Sequence, residues 1–92
     1  MLKEITLGIL SELGYKFTYK LGVYSINDNI KVVISDESKD IHIWYLNNKF
    51  NDKRNGIQMI IDCSDGWRGI ESHQYIKGKL EDVFSLINKF ES

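Results

Sequence analysis

The sequence predicts an α+β domain in which a mostly antiparallel meander of four to five strands carries an N-terminal and a C-terminal helix on one face. Three observations predict it. Apolar residues recur with helical spacing at both ends of the chain, they alternate with polar residues in between, and the connections between the alternating stretches are short. At 92 residues, the chain is expected to form one compact domain, 1–92. Its 42% hydrophobic and 27% charged residues exclude the class of disordered chains.

The first element is a predicted helix over residues 2–13, where apolar residues spaced three and four apart form one stripe. Gly14 follows at the position where a left-handed cap is needed, so the helix is expected to end there. The second predicted helix covers residues 79–90, whose apolar residues also fall on one face. Two one-sided helices need one sheet face to cover them.

Five stretches between the helices alternate in polarity and are predicted as strands: residues 15–21, 23–26, 30–35, 41–46 and 57–63. A weaker alternation that ends at Tyr75 and Ile76 is interpreted as a last strand. The stretch 41–46 carries bulk on both faces, with His42, Trp44 and Leu46 on one of them. It is therefore expected to be internal, or to meet the helices or another chain with its second face. If that face is free, we expect self-association through the sheet or its edge, as a homodimer or another small oligomer.

The charge and the cysteine content indicate a cellular compartment but do not identify a binding partner. The net charge of −1 and the pI near 6.1 lack the basic excess of a protein that follows a phosphate backbone. The single cysteine, Cys63, cannot form an internal disulfide, so a reducing cytoplasmic location is expected. The first residues lack the apolar run of a signal peptide or membrane span, and no membrane association is predicted.

The loop 65–69 is the most informative motif, because Trp67 and Arg68 lie between two glycines, where burying both side chains is difficult. Indole and guanidinium groups are over-represented among the residues that dominate protein interfaces. The alternative is structural: Trp67 folds over the end of the sheet, and Arg68 pairs with Asp65 or Glu71. We predict a binding site of aromatic, basic and imidazole side chains, comprising Trp67, Arg68, Trp44, His42, Phe50, Lys53 and Arg54.

The sequence contains no strong pattern of a catalytic site or a metal site. The acids near the loop lack the ligand rhythm of a calcium site, and no paired cysteine spacing indicates zinc. Cys63 aligns with the apolar side of its predicted strand, where cysteine is usually inert, and no glycine-rich phosphate loop is present. We therefore predict no metal, no cofactor and no enzymatic activity.

The leading hypothesis is a small binding protein of the inhibitor or immunity type that acts on a protein partner. The many isoleucines, lysines and asparagines suit AT-rich coding DNA. A phage or mobile-element anti-defence role, in the manner of anti-CRISPR inhibitors, is therefore considered by analogy alone. One alternative is an oligomeric module that binds or sequesters a nucleotide through Trp67 and Arg68. The second alternative is single-stranded nucleic-acid binding, in which aromatic residues and lysines on strands would hold bases and phosphates.

Overall fold

A computed structural model of the chain consists of a five-stranded antiparallel sheet and two helices. It describes residues 2–46, 57–64 and 69–91, and the side chains of the last range from Ser72 onward. The elements in chain order are α1 (Leu2–Glu12), β1 (Thr18–Lys20), β2 (Val23–Ser25), β3 (Ile30–Ser35), β4 (Asp40–Tyr45), β5 (Ile57–Asp62) and α2 (Gly69–Glu91). The strands follow one another across the sheet in the order β1-β2-β3-β4-β5. The predicted fold class is confirmed.

Helix α1 ends as the sequence predicts. Gly14 has a φ of +90°, and the N–H of Tyr15 donates to the carbonyl of Leu10 at 2.9 Å, which gives an otherwise unpaired end carbonyl a partner. At the other end, Asp36 in the β3–β4 turn caps the helix, since its Oδ1 accepts the N–H of Leu2 at 2.8 Å. This contact joins the start of α1 to the sheet.

Replacing Asp36 by Ala is expected to lower the free energy of unfolding by about 1 kcal/mol, because one of the first N–H groups of α1 loses its acceptor. Burial acts to raise the pKa of Asp36, but the net effect is a lowered pKa, to which the backbone hydrogen bond from Leu2, the positively charged N-terminus and the backbone hydrogen bond from Lys3 contribute. The stabilisation is therefore present above the ordinary carboxyl pKa and is lost as the pH falls below it. Urea unfolding at pH 7 and at pH 3 checks both statements; an equal difference between the proteins at the two pH values would contradict the role of the ionised carboxylate.

The sheet has one covered face and one open face. Ile30 and Val32 of β3, Ile41, Ile43 and Tyr45 of β4, and Ile61 of β5 are buried on the covered face. The core continues into Ile9 and Leu10 of α1 and into Ile76, Leu80, Phe84 and Ile87 of α2. The intervening strand residues point to the open face, on which the structure places neither of the two helices.

The second helix corrects the sequence prediction. Residues 69–76 belong to α2 and do not form the predicted last strand, so α2 begins at Gly69 rather than at residue 79. Ser72, Ile76 and Leu80 are all buried, a spacing of four that continues the helical stripe backwards. The weak alternation arises because Ile76 belongs to that buried stripe while Tyr75 lies beside it and is exposed. Glu12 joins this early part of α2 to the end of α1, through Lys77 at 3.0 Å and His73 at 3.3 Å.

The first strand is shorter than predicted, because only Thr18–Lys20 pairs with β2. Tyr15 and Phe17 precede the strand but still pack on the core. Tyr15 stacks on Phe84 with 4.3 Å between ring centroids, and Phe17 meets Tyr24 edge to face at 5.7 Å. Side-chain alternation thus correctly marked Tyr15 and Phe17 as core-facing, but it overstated the length of the ladder, and Tyr19 and Leu21 at its end are 58% and 89% exposed.

Candidate functional site

The open face brings together two of the predicted binding residues, His42 and Trp44 of β4, both of which are half-buried. Leu46 follows them one residue past the end of the strand and is 37% exposed. The other predicted binding residues, Phe50, Lys53, Arg54, Trp67 and Arg68, lie outside the described residues. The candidate site is therefore built on the open face, around Trp44.

Strand register fixes the neighbours of Trp44 and His42. Trp44 lies opposite Lys31 of β3 and Gln58 of β5, while His42 lies opposite Val33 and Ile60. We call these six residues the open-face patch. Ile60 is 57% exposed, so the patch combines apolar surface with an indole ring and polar neighbours.

His42 is held by side chains on both sides. Its Nδ1 atom lies 3.0 Å from Nε2 of Gln58, and its Nε2 atom lies 3.3 Å from Oδ1 of Asp40. With the amide NH₂ of Gln58 as donor, Nδ1 is the acceptor and the ring proton resides on Nε2, facing the carboxylate. Asp40 Oδ1 is shielded from water and lies 3.3 Å from Nε2 of His42, without the geometry of a hydrogen bond. These contacts orient the imidazole beside Trp44.

Charge is distributed unevenly over the open face. Asp40 and Asp62 lie directly opposite each other on β4 and β5, an arrangement of like charges that is unfavourable in a sheet. The N–H and hydroxyl of Ser64 both donate to Oδ1 of Asp62, at 2.9 and 2.6 Å, and lower the pKa of that carboxyl. This end of the open face is therefore acidic, whereas Lys31 and Lys20 make the β1–β3 side basic.

A depression of about 410 Å³ adjoins the patch on its basic side. Lys16, Lys31 and Asp28 are among the residues that line it, and Nζ of Lys31 donates to the carbonyl of Asn27 at 3.1 Å. Its volume falls within the range of small-ligand sites. The two lysines in its lining would suit an anionic small molecule.

Of the residues considered for catalysis or metal binding, those that the structure describes are not assembled into a site, and Asp65 and the side chain of Glu71 lie outside its described part. Cys63 is only 1% exposed, and burial, with a smaller effect of nearby Asp62 and Asp40, raises the pKa of its thiol to about 11. His73 faces Glu12 on the helical side of the molecule. Among the described residues, no group of three or more His, Cys, Asp or Glu could hold a metal ion.

Comparison with known proteins gives no family assignment: no family model matches the chain, and neither does any curated protein or solved structure. None of the described helices is long and apolar enough to cross a membrane. Inference about function therefore depends on the geometry of the open face.

Sequence reasoning missed four members of the patch. Lys31, Val33, Gln58 and Ile60 were not predicted as binding residues, although alternation alone places each of them opposite the apolar side of its strand. Their proximity to Trp44 follows from the pairing register, which the chain pattern does not specify. The available signal was Val33 and Ile60 taken together with Trp44, because several apolar residues on the polar sides of strands can form a patch.

Proposed function

We propose that this protein is a non-enzymatic binding module that recognises a protein partner through the open-face patch, with Trp44 as the central anchor. The observation that carries the proposal is the half-buried indole between Lys31 and Gln58, on a sheet face that neither helix covers. Trp is enriched among residues that dominate binding energies, and such residues lie near the centre of an interface.

The surroundings of Trp44 support a protein partner. Val33 and Ile60 flank His42 and lie diagonal to Trp44, where they add apolar area to the same face. Lys31 lies on the β3 side of Trp44, and the Asp40–Asp62 pair lies beyond His42. An apolar centre with a polar rim is the usual composition of a protein interface. The opposite charges on the two sides favour a partner whose own charges are arranged in the reverse order.

Within this class we favour a small inhibitor or immunity-type protein, which acts by covering a functional surface of its partner. The many isoleucines, lysines and asparagines suit AT-rich coding DNA, and by analogy only they favour a phage or mobile-element anti-defence role. The reducing cytoplasm remains the compartment expected from the single cysteine.

Small-ligand binding is the second candidate function, and the lysine-lined depression beside Trp44 is the observation that favours it. A nucleotide phosphate could contact Lys16 and Lys31 there.

Single-stranded nucleic-acid binding would use the same lysines and Trp44, and it would weaken steeply with added salt. Asp28 in the lining and the acidic end of the face speak against both.

Trp44→Ala is expected to weaken partner binding by at least about thirtyfold, the effect of losing an interface anchor of about 2 kcal/mol. The partner is first captured from host cytosol by the tagged chain, and its affinity for each variant is then measured by calorimetry. Leu21→Ala is the matched control, because Leu21 is 89% exposed and lies in the turn beyond the opposite edge strand. Circular dichroism of both variants establishes that the fold is kept.

Equal partner affinities of Trp44→Ala and Leu21→Ala would overturn the proposal. A nucleotide panel tested by thermal shift separates the second candidate, because a bound ligand raises the melting temperature. A shift that Lys31→Ala abolishes would favour the ligand-binding function, and salt-sensitive retention of an oligonucleotide would favour nucleic-acid binding.

A further inference from the structure

The outer flank of α2 carries a stripe of four exposed residues: Tyr75, Lys79, Asp82 and Leu86. Their spacing of four, three and four residues places them along one side of the helix. That side is the one turned away from His73 and Lys77, which contact α1 through Glu12. Tyr75 and Leu86 are 45% and 42% exposed, so the stripe has an apolar residue at each end and opposite charges between them.

The stripe lies beside the edge of β5, the terminal strand of the sheet. The hydroxyl of Tyr75 donates to the carbonyl of Asp62 at 3.0 Å, which ties α2 to that edge. The N–H of Cys63 donates to the carbonyl of Lys39 at 2.8 Å, so the backbone groups of Cys63 point toward β4. Because this direction alternates along a strand, the backbone groups of Gln58 and Ile60 point away from β4, toward the open edge. Among residues 2–46, 57–64 and 69–91, no strand pairs with this side of β5.

We infer that a second copy of this chain covers the α2 stripe and the β5 edge, in a two-fold symmetric dimer whose axis is perpendicular to the sheet. Antiparallel α2 helices place Tyr75 against Leu86 of the second copy and Lys79 against Asp82 of the second copy. Symmetry repeats both contacts. Antiparallel β5 strands pair the backbone groups of Gln58 with those of Ile60 of the second copy, with Met59 on the axis.

One axis serves both elements. From Tyr75 to the midpoint between Lys79 and Asp82 is about 8 Å along the helix. The same distance measured back along β5 from Asp62, which Tyr75 contacts, is about 2.5 residues, which ends within about one residue of Met59 on the axis. Phe90 stacks on Tyr45 of β4 at 6.2 Å, so α2 runs above β4 and β5. With the sheet continued across the axis, the two α2 helices would be about 10 Å apart, the normal distance for packed helices.

Charge selects a second copy as the occupant. Residues 57–61 of β5 contain no charge, so the paired strands bring no like charges together. The edge also lacks the lysine or proline that commonly protects an exposed strand from pairing. On α2, each lysine of the stripe meets an aspartate, and an unrelated partner would need to reproduce that order of charges. The dimer joins two open faces side by side, and its test does not depend on the proposed protein partner.

Two single charge reversals test the dimer. Lys79→Asp and Asp82→Lys each place like charges across the axis at both symmetric contacts, and each is expected to raise the dimer dissociation constant at least about tenfold. An equimolar mixture of the two variants restores opposite charges, so a heterodimer should form with nearly the affinity of the unmodified chain. Sedimentation velocity over a concentration series measures the self-association, and native mass spectrometry identifies the heterodimer.

Glu81→Lys is the matched control, because Glu81 lies on the side of α2 near Leu13 and Tyr15 and its reversal should leave the dimer intact. Hydrogen exchange adds a readout at the strand edge: the amides of Gln58 and Ile60 should be protected in the dimer and exposed in the single variants. A chain that is monomeric over the whole series overturns the inference. So do single variants that dimerise as tightly as the unmodified chain, or a mixture that remains monomeric.

Discussion

Replacing Ile43 by Ala is expected to lower the free energy of unfolding by about 3 kcal/mol, near the middle of the range for deleting buried aliphatic side chains. Ile43 is fully buried at the centre of β4, between Val32 of β3 and Met59 of β5. The substitution removes apolar contacts and leaves a cavity that this close-packed layer fills only in part. Because small domains are stabilised by only about 5–15 kcal/mol, much of the total would be lost.

Urea denaturation followed by circular dichroism measures this change, and Gln58→Ala is its control. Gln58 occupies the neighbouring strand but is exposed on the open face, where its side chain forms a hydrogen bond with His42. Its truncation should cost less than about 1 kcal/mol. Similar losses for the two variants would mean that the faces of the sheet are assigned incorrectly.

The thiol of Cys63 is expected to react with a disulfide reagent at pH 8 about a hundredfold more slowly in the folded chain than in the unfolded chain. Burial raises its pKa from 9.0 to about 11, which lowers the fraction of reactive thiolate by about that factor. Exclusion of the reagent from the core adds to the protection. Labelling in buffer and in urea gives the ratio directly, and equal rates would contradict the burial of this side chain.

The same shift predicts a dependence of stability on pH. Because the pKa is higher in the folded state, the protonated thiol imposes no penalty below about pH 9. As the pH rises from about 9 to about 11, the unfolded state is favoured by up to about 3 kcal/mol. Cys63→Ala lacks this contribution, so its stability should fall less steeply over that interval. Parallel slopes for the two proteins would count against the raised pKa.

Period-two alternation predicted most of the sheet, because one face is buried and the other is not. β3 has the predicted bounds, β4 is shifted by one residue toward the N-terminus, and β5 is one residue shorter than predicted. The pattern failed in two places. Tyr15 and Phe17 alternate because they pack on the core, although they make no ladder, and Tyr75 precedes the buried Ile76 on a helix. Alternation reports burial, whereas a strand also requires a hydrogen-bonded neighbour.

The candidate site was only partly predictable for the same reason. His42 and Trp44 share a face in any strand, so their joint exposure could be inferred from the sequence. The neighbours that complete the open-face patch depend on register, which is set by turns and by long-range packing. The α2 stripe was missed because the helix was predicted to start at residue 79, which removed Tyr75 from it. A helical reading of residues 72–86 would have revealed the stripe.

The sequential strand order has a consequence for folding during synthesis. Each strand pairs only with its neighbour in the chain, so the sheet can grow strand by strand as the polypeptide leaves the ribosome. The covered face, however, needs Ile76, Leu80, Phe84 and Ile87, all of which lie in the helix that follows every strand. Until α2 emerges, a nascent chain would display much of its apolar layer to solvent and to chaperones. Docking of α2 is thus the step that completes the covered face once all five strands have paired.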